Sequence, residues 1–224
     1  MMNKPMKQMR RQETALGKRG PRGGDVRTQV IEAALETLKR KGYTGASARA
    51  IADAGGFNSA LVFYYFGSVN GLLLAALDHS SEQRMARYRR AVDDADSLEG
   101  LLDVAARIYR EDLEGGHITV FSELVGASLS HPELAPEIVA RAEPWLEFVE
   151  EMLVGAVKGT PLEGMLPTRE MAFAVIAFYM GVNLLTHLDK DRGRVDRLFD
   201  LAARLAPLVD SMIPALQPQD SAQS

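Results

Sequence analysis

The chain of 224 residues contains no cysteine. That excludes a disulfide framework and any thiolate metal site, and it fits a reducing compartment. Its four histidines, His79, His117, His131 and His187, are scattered, and no two stand at the metal-ligand spacing of an HExxH helix. A Gly-rich phosphate loop and a GxSxG nucleophile elbow are both missing. These gaps argue against an enzyme and against a bound cofactor or metal. The N-terminus lacks the apolar stretch of a secretory signal, so a cytoplasmic protein is expected. Residues 171–188, MAFAVIAFYMGVNLLTHL, are free of charge, and their eighteen positions reach the lower limit for crossing a bilayer. Gly181, Asn183, Thr186 and His187 interrupt the apolar character, and no second span accompanies it. The expectation is a helix buried on most sides, not a membrane segment.

What the chain does have is charge of opposite sign at its two ends. Residues 1–70 carry twelve Lys/Arg against five Asp/Glu, a net of +7, while the whole chain is −4, which leaves −11 on residues 71–224. A basic head on an acidic body suits nucleic-acid binding by the head alone. Within residues 1–24, Lys4, Lys7, Arg10, Arg11, Lys18, Arg19 and Arg22 face one acid, Glu13, and five glycines and prolines discourage helix near the end of the stretch. Two readings stand for this arm: a solvated tail, or a strand of positive charge lying along phosphates or in a minor groove.

The centre of the head is Ser47 to Phe66, SARAIADAGGFNSALVFYYF. Ser47 is suited to cap a first short helix, with Ile51 and Ala52 on its buried side. Gly55 and Gly56 end that helix, because glycine enters the left-handed region without a Cβ penalty. Asn58 can cap a second helix running to about Tyr65. Two short helices about a tight turn form the outline of a helix-turn-helix, whose second helix enters a DNA major groove. Phe57, Val62 and Phe66 share one side and are expected in the core. Four successive large aromatics cannot all face inward, so Tyr64 and Tyr65 are candidates to point out. Upstream, Asp25 caps a helix to about Lys41, with Val30, Ala33, Ala34, Thr37 and Leu38 as its apolar stripe. Downstream, Ser68 caps a long helix to about Asp94.

Gly42-Tyr43-Thr44, Ser47, Arg49, Ile51-Ala52, Gly56, Phe63-Tyr64, Phe66, Gly67-Ser68 and Leu72-Leu73 stand in one ordered pattern. By these residues the stretch 25–75 resembles the DNA-binding domain of the tetracycline-repressor (TetR) family of bacterial transcription regulators. The resemblance implies an all-α protein: an N-terminal three-helix helix-turn-helix domain and a C-terminal helical domain for ligand binding and dimerisation. It also implies site residues. Arg49 matches a position that reads a base edge, for which the arginine fork suits guanine; a phosphate contact or a plain surface charge is the other reading. Ser59, Ala60 and Leu61 match base-facing positions, and two apolar residues of three favour thymine methyl contact. Phe63 and Tyr64 match backbone- and groove-contacting aromatics, although Phe63 lacks the usual tyrosine hydroxyl. Ser47, Asn58 and Tyr65 complete the candidate DNA-binding set, Ser47 and Tyr65 as phosphate donors. Val69 stands where the family carries a phosphate-gripping lysine, which implies weaker DNA binding or a larger share for the arm.

The body reads as a run of helices. Residues 97–115 are capped by Ser97 and turn Leu98, Leu101, Leu102, Ala105, Ile108, Tyr109 and Leu113 inward. A short helix at 118–129 follows. A longer one at 137–158 contains Pro144, where a kink or restart is expected, and bears the apolar face Trp145, Phe148, Val149, Met152 and Leu153. Residues 159–167 form a loop. Val195 to Met212 is amphipathic, with Leu198, Leu201, Leu205, Leu208 and Val209 inward. The resemblance implies that the helices at 171–188 and 195–212 pair with those of a second chain as a homodimer, and that a cavity in the body takes a small effector. Apolar inward positions Tyr109, Phe121, Trp145, Phe148, Met152, Phe178, Tyr179 and Asn183 are its candidate lining, which favours an apolar or aromatic ligand.

The layout expected is therefore an arm at 1–24, a helix-turn-helix domain at 25–70, an effector and dimerisation domain at 71–213 and a disordered tail at 214–224. The function expected is a regulator, by family default a repressor, released from a roughly palindromic operator in double-stranded DNA by a small molecule. Two other readings remain: a helical protein-interaction module that never meets DNA, and a DNA binder without an effector.

Overall fold

The computed structural model describes residues 23–95, 98–158, 163–189 and 193–212. The basic arm apart from Gly23 and Gly24, the Ser97 cap and the tail at 214–224 lie outside the described residues, as do the side chains of Leu98, Leu208 and Val209. Nine α-helices and no strand occur among the described residues. They are α1 (Gly23–Gly45), α2 (Ala48–Gly55), α3 (Ala60–Phe66), α4 (Val69–Asp93), α5 (Leu98–Gly115), α6 (His117–Ser128), α7 (Leu134–Val157), α8 (Thr168–Asp189) and α9 (Gly193–Met212).

The first four build the head. The stripe on α1 is buried at Val30, Ala34, Thr37 and Leu38, and Ile31 joins it. Against it pack Ile51 and Ala52 of α2, Val62 of α3, and Leu72 and Leu73 of α4. Each such aliphatic side chain withdrawn from water contributes about 1.5–3 kcal/mol. The cluster does not stop at the head. Val120 and Leu124 of α6, with Leu134 and Ile138 of α7, belong to the same buried group.

The caps form where the side chains allow. Ser47 Oγ accepts the Ala50 N–H at 3.2 Å, and Ser68 Oγ accepts the Gly71 N–H at 2.9 Å. Helix α1 begins two residues before the expected Asp25 and does not stop at Gly42, but kinks there with φ 67° and ψ 178°. Only glycine holds that conformation comfortably. Glu123 of α6 occupies the space beside the kink: a Cβ on Gly42 would lie 2.8 Å from its Oε2. The same oxygen accepts the Tyr43 N–H at 2.7 Å. The Tyr43 hydroxyl donates to Asn70 Oδ1 of α4 at 2.9 Å.

Three expectations for the body need correction. Helix α7 runs unbroken through Pro144 and starts at Leu134. Pro144 and Ala140 are both exposed, so water can take the carbonyl that the missing N–H frees. Helix α8 is not buried on most sides. It is long and apolar enough to cross a membrane by length and composition, yet it packs mainly along α7 and leaves Phe173, Leu184, Leu185 and Leu188 exposed. On α9, Leu198, Leu201 and Leu205 are exposed as well, while Val195 and Ala206 are buried and the helix lies against α5. An apolar stripe wider than its single neighbour can cover has an inner and an outer edge, and these leucines are the outer one.

Gly42→Ala combines a backbone that alanine resists with a contact to a fixed carboxylate. It is expected to lower the unfolding free energy by about 1–3 kcal/mol, read from urea denaturation of the full-length protein with an unchanged m-value.

Candidate functional sites

Two surfaces collect the residues singled out by sequence. The first is the outer face of α2 and α3. Helix α2 ends at Gly56, which is left-handed with φ 69°. Asn58 then starts α3, its Oδ1 accepting the Ala60 N–H at 2.8 Å, so this side chain caps a helix assigned from Ala60. Phe63 and Tyr64 point outward with 54% and 78% of their surface exposed. Tyr65 is half-buried, with its ring edge-on to Tyr64 at a centroid distance of 4.9 Å. Ser47, Asn58 and Ala60 are exposed and Ser59 is half-buried. Leu61 is partly buried against the head core. The Arg49 side chain is 91% exposed and 4.0 Å from Asp53. Such an exposed i,i+4 pair holds the arginine loosely. Phe66, expected in the core, is half-buried and carries the Arg27 guanidinium 5.0 Å above its ring. Arg27 thus adds an exposed cation beside α3 that sequence reading passed over. Val69 packs partly buried against the head core, so its apolar side chain has a structural use at the place of the family's lysine.

The second site is a cavity of about 200 Å³ in the body. Five helices wall it, from Leu77 on α4 to Met180 on α8. Of the expected lining, Phe121, Trp145, Phe148, Met152 and Tyr179 are present. Tyr109 is buried behind the wall, its hydroxyl donating to Thr186 Oγ1 at 2.9 Å and its ring edge-on to Tyr179. Phe178 is 60% exposed and takes no part: it precedes Tyr179 by one helical step, which turns it to the outer side. Asn183 lines a second, adjoining cavity instead.

Sequence reading missed the polar centre of this cavity. Asp112 of α5 is 1% exposed. It accepts from Arg84 Nη2 and from the Tyr88 hydroxyl, both on α4, at 2.5 Å each, and from the Tyr179 hydroxyl of α8. Arg84 lies 4.8 Å above the Trp145 ring. Burial alone would lower the pKa of Arg84, but the charge of Asp112 and the hydrogen bonds with Tyr88 and Asp112 outweigh it and the pKa is raised. Burial and the bond to Asp112 push the Tyr88 hydroxyl up to about 12. Burial first, then Asp112, raises Tyr179 well above the usual phenol range. Arg84 is therefore charged and both tyrosines are protonated donors near neutral pH. Helical spacing carried a trace of this: Asp112 follows Ile108 and Tyr109 on the inward face of α5, and Arg84 lies between Leu77 and Tyr88 on α4. Nearby, His117 Nδ1 is 3.0 Å from Ser80 Oγ. Burial, then the charge of Arg84, lowers its pKa to about 4.

Residues 30–76 match the family profile described as "Bacterial regulatory proteins, tetR family". Over 114 residues the chain is 32% identical to the HTH-type transcriptional regulator BetI of Stenotrophomonas maltophilia, an alignment that covers 49% of this chain and 57% of that protein. The chain thus spans a little over half the length of this curated relative. A member of the TetR family from Streptomyces coelicolor A3 superposes with a TM-score of 0.60 at 26% identity, over 81% of this chain and 98% of that one. The fatty acid degradation regulator FadR from Bacillus halodurans shares the fold at a TM-score of 0.68 and 19% identity, over 85% and 96% of the two chains.

Asp112→Ala leaves a buried guanidinium and two buried hydroxyls without their acceptor. The expected loss is about 3–5 kcal/mol, read from the urea midpoint. A second expectation concerns pH. His117 stays neutral in the folded protein down to about pH 4, whereas the unfolded chain takes up a proton near 6.5. Stability from this residue is complete above the unfolded value and falls as pH drops from about 6.5 towards 4. Urea midpoints at pH 7 and pH 5 should therefore differ more for the native protein than for His117→Asn.

Proposed function

The chain belongs to the TetR family of bacterial regulatory proteins, and we propose on that footing that it is a sequence-specific DNA-binding transcriptional regulator. In this reading it is a repressor released from a palindromic operator by a small apolar or aromatic effector. The observation that carries the reading is the outer face of α3. A helix-turn-helix whose inner residues are buried leaves Phe63 and Tyr64 uncovered, with Arg49 of α2 exposed and only loosely paired to Asp53, inside the segment matched by the family profile.

The roles divide along the chain. Residues 25–70 contact DNA, and residues 71–213 bind the effector and a second chain. Ser47 and Tyr65 donate to phosphates, Arg49 reads a base edge, and Ala60 with Phe63 and Tyr64 fills the groove. Arg27 adds a phosphate contact. Leu185 and Leu188 of α8, and Leu198, Leu201 and Leu205 of α9, are exposed, and a second copy packs on these two helices as a homodimer. Two-fold symmetry then sets two heads on two half-sites. The cavity beside Trp145 takes the effector, whose unequal binding to the two head arrangements releases DNA. The site of action is the cytoplasm, and the role is regulatory, not enzymatic, as in the relatives named transcriptional regulators.

The test is fluorescence anisotropy with a labelled duplex from DNA flanking the protein's own gene. Affinity should withstand scrambled competitor and fall steeply with salt, as counterion release requires. Arg49→Ala should cost about 1–3 kcal/mol of discrimination at one base pair of each half-site. Affinity indifferent to salt and to sequence would instead favour the protein-interaction module.

A further inference from the structure

The second cavity, about 220 Å³, shares Asp112 and Ile118 with the first. Its character differs. Asn183 is 3% exposed, and its Oδ1 has no hydrogen-bond partner, while its Nδ2 donates to the Tyr179 carbonyl at 2.9 Å. A buried amide oxygen without a donor is unfavourable, and any donor brought to it is favoured. Glu123, on the facing helix α6, is half-buried and makes no ion pair among the described residues. Its hydrogen bond from the Tyr43 N–H engages Oε2. Asp112, by contrast, is matched by Arg84 and two tyrosines. Ser122 and Thr119 add hydroxyls, His187 adds an imidazole, and neither lysine nor arginine lines the space.

We propose that this cavity binds a primary ammonium group carried on a short apolar tail. An ammonium ion brings three N–H donors and one positive charge. Glu123 answers the charge, and Asn183 Oδ1 and a hydroxyl of Ser122 or Thr119 accept the remaining N–H groups. Leu113, Ile118 and Leu184 are the apolar wall for the tail. A carboxylate ligand meets the charge of Glu123 as a repulsion. An alcohol leaves that charge unanswered. A quaternary ammonium ion has no N–H to give Asn183. The proposal rests on the reading of the body as an effector-binding domain and adds the class of effector and its route to the head. Glu123 is the carboxylate that holds the Tyr43 N–H at the Gly42 kink, so a cation on Glu123 weakens the hold of α6 on the last turn of α1.

The experiment is isothermal titration calorimetry of the full-length protein with n-hexylammonium, n-hexanol, n-hexanoate and n-hexyltrimethylammonium. Hexylammonium should bind at least about tenfold more tightly than each of the others. In Glu123→Gln and in Asn183→Leu that preference should shrink to less than about threefold. Glu123→Gln keeps an acceptor for the Tyr43 N–H and so preserves the kink; should it fail to fold, Asn183→Leu decides alone. Equal affinities across the four probes, or a preference that survives the substitutions, overturns the assignment. Saturating hexylammonium should also weaken operator binding by at least about fivefold, and unchanged binding overturns the route to the head. A protein that binds no DNA specifically would refute the regulator reading while leaving the calorimetric preference standing, so the two failures are distinguishable.

Discussion

The body is organised around one buried carboxylate. Asp112 lies on α5 and accepts hydrogen bonds from α4, through Arg84 and Tyr88, and from α8, through Tyr179. Three helices that could slide along apolar faces are thereby pinned at one point. Apolar packing tolerates many registers, whereas a buried charge tolerates only those in which every partner is in place. The apolar cavity forms around this point because its walls are held from inside. Arg84 extends the hold to a fourth helix by lying over Trp145 of α7.

The head is joined to the body by two kinds of contact. One is apolar: Leu38, Ile51, Val62 and Leu72 belong to the same buried cluster as Leu124 and Leu134. The other is polar and local: Glu123 of α6 meets the backbone of Tyr43 next to Gly42, which takes a positive φ. The broad contact sets the position of the head, and the narrow one reaches the last turn of α1, after its kink at Gly42. A rearrangement of α6 therefore reaches the head through one hydrogen bond between the Glu123 carboxylate and a backbone N–H.

Much of the head was legible in the residues. The Ser47 and Ser68 caps, the glycine turn at Gly56 and the buried stripe from Val30 to Leu38 are local matters of spacing and cap chemistry. The outward turn of Tyr64 follows from helical geometry as well. The places where pattern reading went astray share a cause. For Phe178, residue type says apolar, yet one helical step separates the inner side from the outer. For Pro144, the local rule predicts a break, but exposure of the freed carbonyl and the packing of α7 on α4, α6 and α8 keep the helix whole. The outward leucines of α8 and α9 are apolar like inward ones, and only the placement of neighbouring helices tells the two edges apart.

The sequence by itself determined that the chain is helical, where its short helices begin and end, and that its basic end carries a helix-turn-helix. Those properties arise from interactions between residues a few positions apart, and such interactions are written in spacing. Which residues wall the cavity was decided by the tertiary structure. So were the meeting of Asp112 with Arg84 and Tyr179, and the reach of Glu123 to a backbone eighty positions away. A buried charge is favourable only when its partners arrive from other helices, and that requirement leaves little mark on the local pattern of any one of them.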